Sequence, residues 1–489
     1  MKKKSLLVFL MLVNAFLTFS QYTHTELNAS RKLDSAMIKL HKLLDSSGAL
    51  KKNVDSVFTL VHFGDSHIQG DHFSGEIRRI LQGHFGDAGQ GLFFPYSLCK
   101  SWGPKGIKAT TVGNWSYSQT LKPDLINKVG LSGYQLSASN NLSAINFLFN
   151  ENFKHSPSRG IKIWYKATSS SIDFHLDNKF ILDKNLTFNS SWGVRSYQSS
   201  EEIKGFELSV SNENINSDVF SFFGFELFNA ASIGINYHHC GVVGAQFTHL
   251  IDNSDLILEQ LAYLKPDVLV FSFGTNEAYG NIDTTKYFKS ISNFMDQLEQ
   301  LLPKTAIIIT TAPDTRSQGK VPPSQISVNK QLLKLKSNHD ISVFDLNQAM
   351  GGWGSLDNWY KSKLVLDDKL HFSATGYALQ GKMFALAFLS EYNKSKSSAP
   401  IDVISLKSEI EKVIIPVLTS TSIISEEEVK PLVVKTIVKP SKSQVYIVKK
   451  GDTISKIARK YHFSTDKLLK MNNLKENDII RVGQKIKIP

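Results

Sequence analysis

Three short runs in this 489-residue chain carry residue types suited to nucleophilic chemistry. Gly64, Asp65, Ser66 and His67 follow an apolar, β-branched run at 57–63 and precede a helical pattern with Ile77, Ile80 and Leu81 on one face. That context puts a serine hydroxyl at the end of a strand and the start of a helix, where open α/β sheets place their sites and helix-start amides face developing negative charge. Alone, such a serine is more often a helix cap. Asp368 and His371 are three residues apart ahead of another helical pattern. This spacing can set the carboxylate beside the imidazole, fix its tautomer and leave the second ring nitrogen to take the Ser66 proton. Phe273, Gly274, Thr275, Asn276 and Glu277 end a further apolar run and offer the Asn276 amide as a donor. His239, Cys240, Gly241, Val242, Val243, Gly244 and Ala245 supply glycines whose amides can approach a ligand closely. Ser66 N–H, Gly244 N–H and the Asn276 side chain would then form an oxyanion hole, with Gly241 as the rival of Gly244.

Other polar residues are given structural roles. His62 reads as a core or sheet-face residue, and His67, His72, His238 and His239 as local hydrogen-bonding or rim groups. They show no convergent ligand set, so no metal site is expected. Glu277 is expected to hydrogen-bond its own loop.

The elements that must hold these runs alternate in type. Short buried runs at 57–63, 267–273, 305–310 and 341–344 are interleaved with helical patterns near 283–301, 324–337 and 375–392. That is the pattern of a parallel sheet covered by helices on both faces. Leu27, Leu33, Met37, Leu40, Leu43 and Leu44 predict an amphipathic helix over 26–47. Between the two halves of this α/β domain, 21–98 and 233–395, residues 99–232 change character. Alternating runs at 160–167, 171–176, 205–210 and 219–227 are separated by Asn, Ser, Gly and Asp clusters. They predict an inserted β-sandwich. Residues 396–443 are poor in aromatics and read as a linker, although Ile404, Leu406, Ile410, Val413 and Ile414 could form a docked helix.

The net charge of +12 is unevenly spread: +3 lies in the first 20 residues and +7 in the last 46, leaving the large central region nearly neutral. A concentrated basic tail points to an anionic or wall-like partner for that tail alone, and no motif supports nucleic acid. Residues 1–20 have the form of a secretory signal: Lys2, Lys3 and Lys4, an apolar run from Leu6 to Phe19, and small residues Thr18 and Ser20 before a cut at Gln21. The run is too short to span a bilayer, so the protein is expected to be exported to the periplasm, cell surface or medium, with no integral span. Cys99 and Cys240, the only cysteines, could pair or stay as two buried thiols.

Taken jointly, Gly-Asp-Ser-His, the Gly244 segment, Gly-Thr-Asn-Glu and Asp-x-x-His resemble the four blocks of the SGNH (GDSL-type) hydrolases in their chain order. The resemblance implies a flavodoxin-like, three-layer α/β fold and no cofactor. Its roles fall on Ser66 as nucleophile, His371 as general base, Asp368 as orienting acid, and Gly244 and Asn276 as oxyanion donors. Residues 444–489, with Val445 to Val448, Gly451, Asp452, Thr453 and the closing Ile479 to Pro489 run, resemble a βααβ LysM module. Such modules bind N-acetylglucosamine-containing glycans, chiefly peptidoglycan, and the resemblance puts the contacts at Gly451, Asp452, Thr453 and Ile480. An SGNH domain split by a β domain is similar to the peptidoglycan O-acetylesterases. It implies removal of O-acetyl groups, at the C6 hydroxyl of N-acetylmuramic acid. The alternatives are an acetylesterase on another polysaccharide such as xylan, a polysaccharide O-acetyltransferase and a non-catalytic wall-binding protein.

Overall fold

The computed structural model describes residues 26–419, apart from 46, 52–55, 122–128, 139–141, 152, 154–156, 169–171, 189–191, 213–218, 229–232, 281, 318 and 396–399. It also describes 444–449, 452–454, 457, 468–469, 471–474, 478 and 480–488. The expected signal segment at 1–20 and Gly451 lie outside the described residues. The chain divides into two compact units, Met1–Val429 and Lys430–Pro489.

The first unit is mixed α/β. Its main sheet runs Leu27–Asn28, Ser342–Phe344, Ala306–Thr310, Val268–Ser272, Val57–Gly64, Gly234–Gly241, Asp87–Gly89, all parallel except the first edge strand. The central strands are buried almost throughout because helices cover both faces. Alternation along each strand feeds two cores. Val61, Phe63, Phe271 and Ile309 pack with the helices Ser254–Leu264 and Thr284–Leu301. Leu60, Val270 and Ile308 pack with Arg31–His41, Phe73–Phe85 and Ala374–Lys394.

Two expectations are corrected here. The helix predicted over 26–47 is confined to Arg31–His41: the Ser30 hydroxyl accepts from Leu33 N–H and caps it, while Leu27–Asn28 joins the sheet edge beside Ser342–Phe344. The linker predicted over 396–443 contains a packed helix, Ile404–Thr419, the docked alternative. Its Ile410, Ile414 and Val417 are buried in the second core, Asn358 Nδ2 donates to Val417 O at 2.7 Å, and Lys382 pairs with Glu409 at 2.8 Å. Residues 420–443 lie outside the described residues.

Between Leu92 and Phe228 the chain builds two antiparallel sheets. One has four strands, Ile107–Val112, Leu142–Phe149, Ile172–Leu176 and Gly205–Asn212; the other is centred on Gly160–Ala167 and Phe220–Phe228. Phe147 and Phe206 of the first sheet meet Phe225 of the second at ring distances of 5.1 Å. The second sheet continues into the α/β core: Trp164 meets Tyr263 at 5.6 Å, and Trp192 Nε1 donates to Glu259 at 2.9 Å. Cys99 and Cys240 are both buried, and Cys240 is a free thiol, so no bridge joins them.

In the second unit Gln444–Ile447 pairs antiparallel with Lys485–Ile488. Tyr446, Val448, Ile454, Ile457, Leu468, Ile486 and Ile488 form its core. Asn472 is bonded to the closing strand, accepting from Lys487 N–H at 2.6 Å and donating to Lys487 O at 2.9 Å.

Candidate active site

The order of the parallel sheet reverses beside Val57–Gly64, whose neighbours Gly234–Gly241 and Val268–Ser272 lie on opposite sides. Loops leaving the C-terminal ends of these three strands therefore diverge and leave a crevice between them. Ser66 comes from the first loop, Gly244 from the second and Asn276 from the third.

Ser66 opens the one-turn helix Ser66–Gln69, with Asp65 as its N-cap through Oδ1 and His67 N–H at 2.9 Å. His371 arrives from the far end of the chain, on a tight turn ahead of Ala374–Lys394. Val365 bridges Phe372, Leu366 N–H donates to His371 O at 2.8 Å, and Lys369 takes a positive φ of 52°. The turn brings His371 Nε2 to 3.0 Å from Ser66 Oγ and His371 Nδ1 to 2.7 Å from Asp368 Oδ2. Asp368 Oδ1 also accepts from Leu370 and His371 N–H, each at 2.9 Å. Partial burial raises the Asp368 carboxyl, but the bonds from the His371 side chain and these two amides outweigh it and hold the group below the usual carboxylate range. The arrangement fits a serine made nucleophilic by an oriented imidazole.

On the opposite side of Ser66, Gly241 and Gly244 have different surroundings. Gly241 ends its strand opposite Gly64, and a Cβ there would collide with the backbone of Gln69. It gives the nucleophile's helix room to sit on the sheet. Gly244 lies in the following loop at φ +80°, with only Leu121 near a Cβ position. The neighbouring amides are engaged: Val243 N–H donates to Gln69 Oε1 at 2.7 Å and Ala245 N–H to Val242 O at 3.0 Å. Asn276 Nδ2 donates to Ala245 O at 2.9 Å and, more weakly, to Asp65 Oδ2 at 3.3 Å. Exchanging the longer bond for an oxyanion would free one amide hydrogen. Glu277 holds the loop from beneath, accepting from Gly274 N–H, Phe247 N–H and Tyr287 OH.

The histidines flanking Ser66 and its strand are enclosed. His67 Nδ1 meets Tyr377 OH at 2.9 Å, and burial, reinforced by His371, lowers its pKa to about 3. His62 bridges Tyr237 OH and Ser272 Oγ, and burial lowers it likewise to about 3. His238 accepts from Leu92 N–H at 3.1 Å. His239 is buried beside Asp71 and Phe93, and His72 stacks on Tyr377.

Sequence reasoning missed two supporting groups. Gln69, fully buried one turn after Ser66, donates through Nε2 to Ser101 Oγ and to Trp102 O and accepts at Oε1 from Val243 N–H and Tyr134 OH. It fastens the Gly244 loop and the segment at Ser101 and Trp102 to the helix that begins at Ser66. Arg316 N–H donates to Lys369 O at 2.9 Å while its guanidinium pairs with buried Asp314, steadying the turn that carries His371. A glutamine three residues past a candidate nucleophile is the one sequence signal for the first; for the second, the partners are distant in sequence. Beside the site, Gly70, Asp71, His72, Arg78, Pro104 and Lys105 line part of a cavity of about 590 Å³.

In the second unit Asp452 faces inward: its Oδ2 accepts from Lys449 N–H and Tyr446 OH, each at 2.8 Å. Thr453 is exposed, and Ile480 packs partly against the core.

Residues 226–379 match the GDSL-like lipase/acylhydrolase family, and residues 446–489 match the LysM domain. The first match includes Gly244, Asn276, Asp368 and His371; Ser66 lies before it in the chain. Among solved structures, a peptidoglycan O-acetylesterase shares the fold at TM-score 0.61 and 22% identity, over 73% of this chain and 96% of that one. A lipase/acylhydrolase from Enterococcus faecalis matches at TM-score 0.26 and 23% identity, over 31% of this chain and 74% of that one. An acetylxylan esterase from Geobacillus stearothermophilus matches at TM-score 0.26 and 17% identity, over 33% and 73%. The chain thus joins an acylhydrolase domain, of the carboxylic ester hydrolase class, to a LysM domain.

Proposed function

We propose that this ester hydrolase is exported and removes O-acetyl groups from peptidoglycan, at the C6 hydroxyl of N-acetylmuramic acid, with Ser66 as nucleophile. The reading is carried by an esterase-type Ser66–His371–Asp368 series on the same chain as a LysM match. The fold shared with a peptidoglycan O-acetylesterase, over nearly all of that protein, supports the same substrate. The paired antiparallel sheets between Leu92 and Phe228 act in this reading as an inserted, carbohydrate-module-like β-sandwich. In the second unit Gly451, Thr453 and Ile480 contact the glycan, while Asp452 shapes their loop through Tyr446 and Lys449.

In the reaction, Ser66 Oγ attacks the acetyl carbonyl as its proton passes to His371 Nε2. Asp368 keeps the opposite nitrogen protonated and stabilises the imidazolium. The oxyanion is taken by Ser66 N–H, Gly244 N–H and Asn276 Nδ2, the last exchanging its longer bond to Asp65 for the developing charge. Collapse expels the sugar hydroxyl, which takes the proton from His371, and leaves acetyl-Ser66. Water activated by His371 then attacks the acetyl group and releases acetate. No step calls for a metal or organic cofactor.

The test is acetate release from O-acetylated peptidoglycan by residues 21–489, beside Ser66→Ala and a chemically de-O-acetylated wall. We expect Ser66→Ala to lower the rate by about 10⁶-fold, the size of loss seen when a triad nucleophile is removed. Cleavage of a small acetyl ester without release from wall would overturn the substrate. Acetyl transfer to a sugar acceptor would make the enzyme a transferase, and inactivity on every ester would leave a wall-binding protein.

A further inference from the structure

Of the six tryptophans in the chain, Trp102 is the exposed one, with 46% of its surface open to solvent. Trp115 is half-buried, and Trp164, Trp192, Trp353 and Trp359 are buried. Single exposed apolar side chains are common on a protein surface, so it is the place of Trp102, against the helix that carries Ser66, that makes it informative.

Trp102 sits over the C-terminal end of the nucleophile's own helix. Gly70 caps that one-turn helix, and a Cβ on Gly70 would strike the six-membered ring of Trp102, so the indole lies against the glycine backbone. The chain that carries the ring is fastened: Gln69 Nε2 donates to the Trp102 carbonyl and to the Ser101 hydroxyl, the latter at 2.8 Å. The same Gln69 side chain accepts from Val243 N–H, beside Gly244. One buried amide therefore ties the indole's backbone, the nucleophile's helix and the oxyanion-side loop together. Gly70, together with Pro104 and Lys105 just beyond Trp102, also lines the 590 Å³ cavity.

We infer that Trp102 is a sugar-stacking residue: its open surface packs on a pyranose ring adjoining the acetylated sugar and leads the glycan past Ser66. The axial C–H groups of a pyranose present an apolar face that an indole can cover, and a ring on a fixed backbone loses little conformational freedom on binding. A free acetyl ester without sugars gains nothing from this contact. The inference rests on the saccharide substrate proposed above and names the residue that selects for it.

Two measurements on the full chain test it. In steady-state kinetics, Trp102→Ala should lower the ratio of kcat/KM for a soluble O-acetylated glycan oligomer to that for 4-nitrophenyl acetate by about tenfold, as expected for an exposed aromatic anchor. The loss should fall mainly on KM, and Trp102→Phe should restore much of it. An unchanged ratio would overturn the inference.

The second measurement is tryptophan fluorescence of the Ser66→Ala chain, titrated separately with O-acetylated muropeptides and O-acetylated xylo-oligosaccharides. Residues 444–489 contain no tryptophan, so binding there adds no tryptophan signal of its own. A response lost in Ser66→Ala/Trp102→Phe supports the stacking role. A response to the xylan series alone keeps Trp102 and overturns the peptidoglycan reading. No response to either series, or one that persists without Trp102, overturns the inference.

Discussion

Asp65 shows how much the site depends on a residue outside the catalytic series. It caps the helix that presents Ser66 and touches Asn276, yet it is buried beside Glu277. Burial pushes its pKa from 3.8 to about 8, with the Glu277 charge assisting and the His67 amide opposing. Because the folded value is raised, its favourable contribution is complete below 3.8 and is lost as pH rises towards 8. Asp65→Asn keeps an oxygen to cap the helix and removes that titration. We expect the melting temperature of the variant, relative to wild type, to climb by a few degrees between about pH 4 and pH 8. A difference that does not vary with pH would mean that Asp65 titrates normally. The pairing of Asp368 with His371 was legible from their local spacing, and the structure adds the contact of His371 with Ser66. Gln69 and Trp102 were not legible, because they meet each other across 33 residues and Gln69 also reaches the loop after Gly234–Gly241.

Among the elements, Ile404–Thr419 shows where composition misleads. Its stretch is poor in aromatics and runs into Lys-, Ser- and Pro-rich sequence, so it reads as spacer. Leu406, Ile410, Ile414 and Val417 nevertheless fall on the face that meets the core while Ile404 and Val413 stay exposed, and Asn393 fixes the chain ahead of the helix through paired bonds with Ile401 N–H and O, both at 2.8 Å. Ile414 is fully buried. Ile414→Ala should therefore cost about 2–5 kcal/mol in chemical denaturation, as large-to-small core changes do. A loss below about 0.5 kcal/mol would be expected only of an exposed spacer. The strand Gly234–Gly241 escaped reading for a related reason. His238 and His239 read as local hydrogen-bonding or rim groups, whereas the whole strand is buried, with Tyr237 OH on His62 and His238 accepting from Leu92 N–H, partners that only the folded sheet supplies.

For the molecule as a whole, the proposed division of labour is that the first unit performs the chemistry and the basic second unit supplies affinity for the wall. Binding through a tethered module raises the local concentration of substrate without altering the reacting groups. Deleting 444–489 should thus depress acetate release from insoluble peptidoglycan about tenfold or more relative to hydrolysis of a small acetyl ester. Equal losses on both substrates would show that the second unit supports the fold of the first. Among the described residues no helix is long and apolar enough to cross a membrane.

The sequence by itself determined the class of enzyme and the mixed α/β class of the fold. Strand-to-helix transitions and short spacings such as Asp368 to His371 are local, and local periodicity reports which face of an element is buried. Tertiary structure decided what joins these parts. It brought His371 to Ser66 across 305 residues, set the Gly244 loop against Gln69, packed Ile404–Thr419 on the core and left Trp102 open against Gly70. These relations depend on which distant surfaces exclude water together and which buried polar groups find partners.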